Sequence, residues 1–137
     1  MNEREVFKND SNEKLEKKLN NNIEFLTTLQ KKEYVFEENR KETVIQKARE
    51  IIEILNQIGE KRKIEDLKSI KFPKKLKKKL IKKTGGCLAC GQGEMASGSR
   101  HQNPIELHHI IPKMYGGDDD KKNALVVCKK CHLDMHN

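Results

Sequence analysis

The chain has 137 residues, of which 36% are charged and 34% hydrophobic, with no tryptophan, so it is about one domain long with a thin core. Its opening residues, MNEREVFKND, lack the apolar stretch of a secretory signal, and no apolar run approaches the roughly 20 residues that span a bilayer, so a soluble, cytoplasmic protein without a membrane partner is expected. The net charge of +8 is uneven: residues 1–60 hold 11 Lys+Arg and 13 Asp+Glu, residues 61–83 hold 12 and 2, and residues 84–137 hold 6 and 6.

In chain order, Leu15, Leu19, Ile23, Leu26 and Leu29 recur at three- and four-residue steps, which predicts a helix over 12–30 with one apolar stripe. Val44, Ala48, Ile51, Leu55 and Ile58 do the same over 41–58, with Gly59 as the stop. Two such stripes hide from water by packing on each other, as a helical hairpin or as a dimer seam. Residues 1–60 are therefore read as a charged helical region without a chemical motif, through which a second copy or a partner subunit could pair.

Residues 61–83, KRKIEDLKSIKFPKKLKKKLIKK, carry the whole charge excess. Crowded lysines repel one another unless a polyanion neutralises them, so nucleic acid is the leading partner, and a solvated linker is the plain alternative. Pro73 opens a short basic helix that Gly85 and Gly86 end. Its Lys77, Lys78, Lys79, Lys82 and Lys83 are candidate phosphate contacts, as are Arg100 and Lys113 further on.

Every cysteine and every histidine falls after Gly86. Cys87–Cys90 and Cys128–Cys131 are two C-x-x-C pairs separated by 37 residues, the pattern of a knuckle that holds structural zinc on four thiolates. Between them, Ile105, Leu107, Ile110 and Ile111 predict a strand through His108 and His109, and Gly116, Gly117 and Asp118 to Asp120 read as a solvated polar turn. Asn123 to Cys128 predicts a second, buried strand, and a helix is expected from Cys131 onward. On that helix His132 and His136 share a face.

Neighbouring strand residues point to opposite sides, so one of His108 and His109 can join the helix histidines on a metal while the other stays free as a base. A metal with few protein ligands keeps positions open for a phosphate oxygen. His101, in the polar stretch SGSRHQN, reads as a solvated surface histidine.

The run LHHIIP, the Gly-Gly pair and Asn123-Ala-Leu-Val-Val-Cys-Lys-Lys-Cys-His together resemble the HNH endonucleases, or ββα-metal nucleases, of the subgroup braced by a four-cysteine zinc knuckle. The resemblance covers about residues 80–137. It implies that His108 is a metal ligand, His109 the general base, Asn123 the residue that orients the base-carrying loop, and His132 a second metal ligand. His136 matches the third metal ligand of the nuclease colicins. Many family members carry aspartate in place of His108, so the sphere here is richer in nitrogen than a typical magnesium site.

The fold expected is α+β: a charged helical region over 1–60, a Lys-rich helix or linker over 61–83, and a small zinc-braced HNH domain over 84–137. The function expected is hydrolysis of phosphodiester bonds, in DNA rather than RNA, with one catalytic Mg2+, Mn2+ or Zn2+ beside the structural zinc. A zinc-knuckle nucleic-acid-binding module without turnover is the alternative, but it has no use for the set His108, His109, Asn123 and His132.

Overall fold

Segments with a clear apolar period become the helices of the molecule. The computed structural model describes residues 3–61, 71–93 and 103–136, with side chains from residue 12 onward. The first stripe lies on α1 (Glu3–Gln30) and the second on α2 (Arg40–Ile58). The two pack on each other within one chain, joined by a short connection and an ion pair, Lys18 Nζ to Glu50 Oε2 at 2.6 Å. Leu26, Val44, Ala48 and Ile51 are fully buried between them and the rest of the molecule.

α2 ends at Gly59, whose N–H bonds the Leu55 carbonyl. A Cβ on Gly59 would lie 2.8 Å from the Tyr115 ring, so the glycine makes room for a residue from the far end of the chain. The Tyr115 hydroxyl then donates to Asn56 Oδ1 on the last turn of α2.

Pro73 precedes α3 (Lys74–Thr84), and Gly85 closes it in the left-handed conformation with φ 80°. Leu80, Ile81 and Thr84 face inward, and all seven lysines of this helix stay exposed. Two strands follow, β1 (Ile105–His109) and β2 (Ala124–Cys128), antiparallel with His108 opposite Leu125 and His109 opposite Ala124. Every residue of β2 is buried, because α1 packs on it as well as α3 and the closing helix α4 (Lys129–His136). The polar connection between the strands contains two single 3-10 turns, Lys113–Tyr115 and Lys121–Asn123.

The architecture is α+β, a helical pair followed by a ββα unit, as the pattern predicts. The last helix starts two residues earlier than expected, at Lys129, because its first turn wraps the second cysteine pair. α2 packs against α4, so the charged helical region forms one wall of the part that holds the cysteines and histidines. Among the described residues no helix is long and apolar enough to cross a membrane.

Candidate metal centres and catalytic site

The four cysteines converge from two tight turns. Cys87 and Cys90 follow the end of α3, and Cys128 and Cys131 straddle the junction of β2 and α4. Their four Sγ atoms all lie within 4.8 Å of one another, with Cys90 and Cys128 at 3.8 Å. In each pair the first sulfur accepts the backbone N–H three residues on, Cys90 N to Cys87 Sγ at 3.4 Å and Cys131 N to Cys128 Sγ at 3.5 Å. Gly91 adopts φ 81° and lies so close to the Tyr34 ring that a Cβ would sit 2.4 Å from it.

Such a cluster is poised for a cation. A hydrogen bond from Cys131 draws the Cys87 thiol down to about 5, the same contact pushes Cys131 up, and burial pushes Cys90 up to about 11. Four thiolates this close would repel one another unless a cation lay between them. Tetrahedral thiolate ligation therefore fits these residues.

The histidines form a second cluster against the first. His108, His132 and His136 offer ring nitrogens that all lie within 4.8 Å of one another, with ring centroids 5.0 to 5.2 Å apart. His108 is 1% exposed, and neither of its ring nitrogens has a hydrogen-bond partner. Buried polar atoms are almost always satisfied, so two orphaned nitrogens in one side chain mark a missing partner. Burial, followed by the neighbouring His132 and His136, holds the His108 imidazole well below its ordinary value, which keeps it neutral as a metal ligand must be. The Glu106 carboxylate accepts from His132 Nδ1 at 2.6 Å, which leaves Nε2 free to take a metal, the usual way a carboxylate orients a metal-binding histidine. His136 occupies the last turn of α4, where burial and then His132 lower its pKa.

His109 is not part of this group and has partners of its own. Its ring stacks on Phe72, with centroids 3.9 Å apart and planes inclined by 18°, and its Nε2 meets Asp119 Oδ1 at 2.8 Å. Asp119 Oδ2 in turn accepts from Lys113 Nζ at 2.7 Å. Burial lowers the His109 pKa and outweighs the raising effect of Asp119. At Asp119 burial acts upward, but the bonds from Lys113 and His109 outweigh it and hold the carboxyl below its ordinary value.

Asn123 holds the connection in place. Its Oδ1 accepts from Ile111 N at 2.7 Å, and its Nδ2 donates to the carbonyls of Ile111 at 2.8 Å and Asp118 at 3.0 Å. Gly117 lies against the same carbonyl, where a Cβ would be 1.7 Å from Ile111 O. His108, His109, His132 and His136 all line one cavity of about 170 Å³, with Lys113 and Met114 at its wall. A larger hollow of about 530 Å³ between α1 and the start of α2 holds no histidine or cysteine.

Of the residues singled out from sequence, the four cysteines come together, and so do His108, His132 and His136, with His109 and Asn123 beside them. Lys77, Lys78, Lys79, Lys82 and Lys83 lie exposed on α3. Lys113 is engaged by Asp119. Arg100 and His101 lie outside the described residues, as do residues 62–70 of the basic segment.

One expectation is corrected. The three aspartates are not simply a solvated turn, since Asp119 is bound on both carboxylate oxygens. Glu106, Phe72 and Arg40 also went unread. Glu106 carried a usable signal, because it lies two residues from His108 and so on the same strand face. Arg40, 8% exposed on α2, donates from Nε to the Leu88 carbonyl inside the cysteine knuckle at 2.9 Å and lies 4.8 Å over the Tyr34 ring. Nothing in a lone arginine at a helix start announces such a partner.

Comparison with known proteins agrees with this geometry: the family model for HNH endonuclease matches residues 87–137. Residues 87–137 are an HNH domain. It begins at Cys87 and takes in both cysteine pairs and the whole histidine cluster. A curated relative, the type IV methyl-directed restriction enzyme EcoKMcrA of Escherichia coli (strain K12), is 33% identical over 52 residues. That stretch is 38% of this chain and 19% of the relative's length, so the likeness is one of domain and not of whole protein. No solved structure gives a significant match.

Proposed function

We propose that the chain is a metal-dependent endonuclease that hydrolyses phosphodiester bonds, in DNA rather than RNA. The observation that carries this reading is the buried, unpartnered His108 among His132 and His136, in a cavity shared with His109. A domain that only gripped nucleic acid through its knuckle would have no cause to bury such a group.

In this reading His108, His132 and His136 hold one divalent ion, Mg2+, Mn2+ or Zn2+, and the four cysteines hold structural zinc. When bound, the divalent ion supplies positive charge to the phosphate and to the leaving oxygen. His109 takes the proton of the attacking water, as its lowered pKa leaves it neutral near pH 7. Asn123 keeps the connection from β1 fixed so that His109 does not drift, and Glu106 orients His132. Bond formation to phosphorus then proceeds with cleavage of the opposite P–O bond.

The exposed lysines of α3, Lys77, Lys78, Lys79, Lys82 and Lys83, supply sequence-independent affinity for the phosphate backbone, with Lys113 at the wall of the cavity and Arg100 a further candidate from sequence. Phe72, just before α3, stacks on His109, so that basic helix starts beside the proposed base. The restriction-enzyme relative supports DNA as substrate. Three units are proposed: helices over 1–60, the basic segment over 61–83 and the nuclease over 84–137. The first is where a second copy or a partner subunit would dock. Four free thiols in one cluster suit the reducing cytoplasm.

The test is nicking of a supercoiled plasmid by the wild-type protein, by the protein treated with EDTA, and by the treated protein given Zn2+ alone or Zn2+ together with Mg2+ or Mn2+. Nicking that is lost and then restored is expected. A protein that binds the plasmid but never nicks it with any of these ions refutes the reading.

A further inference from the structure

Asp119 has no ligand role in either cluster, yet it is held more tightly than a surface turn needs. Its two oxygens are divided between His109 Nε2 and Lys113 Nζ, at 2.8 and 2.7 Å, and its side chain is only 28% exposed. The backbone beside it is pinned twice. Asn123 Nδ2 holds the Asp118 carbonyl, and Gly117 sits where no other residue could approach Ile111 O. A loop built this firmly delivers the carboxylate to one place, the edge of the His109 ring.

An ionised carboxylate only accepts hydrogen bonds, so the His109 nitrogen facing it must carry the hydrogen. Lys113 keeps Asp119 ionised by bonding its other oxygen. A neutral imidazole has one protonated nitrogen, and if that is Nε2, the lone pair is on Nδ1. We infer that Asp119 is the positioning residue of His109: it fixes the Nε2–H tautomer, makes Nδ1 the proton acceptor, and stands beside the imidazolium that forms. This rests on the nuclease reading for its consequence in rate, but not for the tautomer itself.

The balance is simple. The proton leaves water for Nδ1, the Nε2–H bond stays donated to Asp119, and the positive charge created lies against a carboxylate already present. Asn123 thereby acts on His109 through the loop it clamps as well as through the strand end.

Two measurements on the zinc-loaded full chain test this. Nitrogen NMR of the histidine rings should show His109 as the Nε2–H tautomer in wild type and as a mixture in Asp119→Ala. Steady-state cleavage should show a fall in kcat of roughly 10- to 100-fold in Asp119→Ala with KM unchanged, the same order as the loss when a carboxylate orienting a metal-bound histidine is removed. In a His109→Ala background the same change should alter the rate less than about twofold, because a residue that acts through another has nothing left to act on. A melting curve within a few degrees of wild type checks that the loop is still folded. Overturning results are an unchanged His109 tautomer, or an equal loss of rate with and without His109. If wild type binds DNA but cleaves none, the nuclease reading falls and the NMR comparison alone decides the positioning claim.

Discussion

Replacing Asn123 by aspartate changes one group in the clamp and breaks two of its bonds. The carboxylate still accepts from Ile111 N, but where the amide donated to the carbonyls of Ile111 and Asp118 it now presents an oxygen to two oxygens. The side chain is 9% exposed, so water cannot easily step in. Each broken bond is worth about 0.5 to 1.5 kcal/mol net, and each stranded buried acceptor adds part of its desolvation penalty, which together gives about 2 to 4 kcal/mol. For a domain of this size, that lowers the melting temperature by about 5 to 20 °C. Asn123→Asp should be measured by circular dichroism melting and by single-turnover cleavage at a temperature where it is still folded. There the rate should remain at least about tenfold down, because the loop that holds His109 and Asp119 has lost its tie. A variant that melts within about 2 °C of wild type and cleaves at the wild-type rate would show that the clamp matters neither to the fold nor to the chemistry.

Further outcomes follow from the same geometry. Cys128→Ser should lose the structural metal and with it cooperative melting, since binding energy at such a site is folding energy; zinc content and helix signal measured together check this. His109→Ala should bind metal and duplex normally and lose roughly 100- to 10,000-fold in rate with no recovery at high metal, whereas His108→Ala should recover part of its activity as divalent ion is raised, which a metal titration of both variants separates. The pH at which the rate falls to half should lie below 6.5: burial holds the His109 pKa under its ordinary value, so the neutral base persists to lower pH, and a pH–rate profile that already halves above 6.5 contradicts this. Replacing Lys77, Lys78, Lys79, Lys82 and Lys83 by glutamine should weaken binding alike on all sequences and flatten the slope of log K against log salt by about 0.9 for each phosphate that is no longer neutralised.

What could be read from the sequence is what repeats at a fixed short interval. Helical stripes at three and four residues, the C-x-x-C pairs, and the separation of His109 from the His108, His132 and His136 cluster are all local, and each reappears in the structure. Asp119, Phe72 and Arg40 act across 10, 37 and 48 residues, on His109, His109 and Leu88 respectively. No periodicity connects such positions, because loop closure brings them together and the core decides the register. Asp119 could not be told from Asp118 and Asp120 by composition, since the difference lies in how Asn123 and Gly117 seat the loop.

α4 explains why two clusters can stand so close without merging. An isolated eight-residue helix is unstable in water, and this one has Cys131 and His132 in succession, with side chains about 100° apart around its axis. Cys131 turns inward to the knuckle and is 1% exposed, while His132 turns toward Glu106 and the cavity. The helix is held at its start by Cys128 and Cys131 and along its flank by α2, with Met135 buried in the core. The dependence is therefore one-way. Losing the cysteine site frees the start of the helix that presents His132 and His136, whereas losing a histidine leaves the knuckle, the strands and the Arg40 tie to Leu88 untouched. In the proposed reading, an ion on the histidines could then be exchanged without disturbing the cysteine cluster, which is a physical reason for keeping the two ligand sets apart on α4.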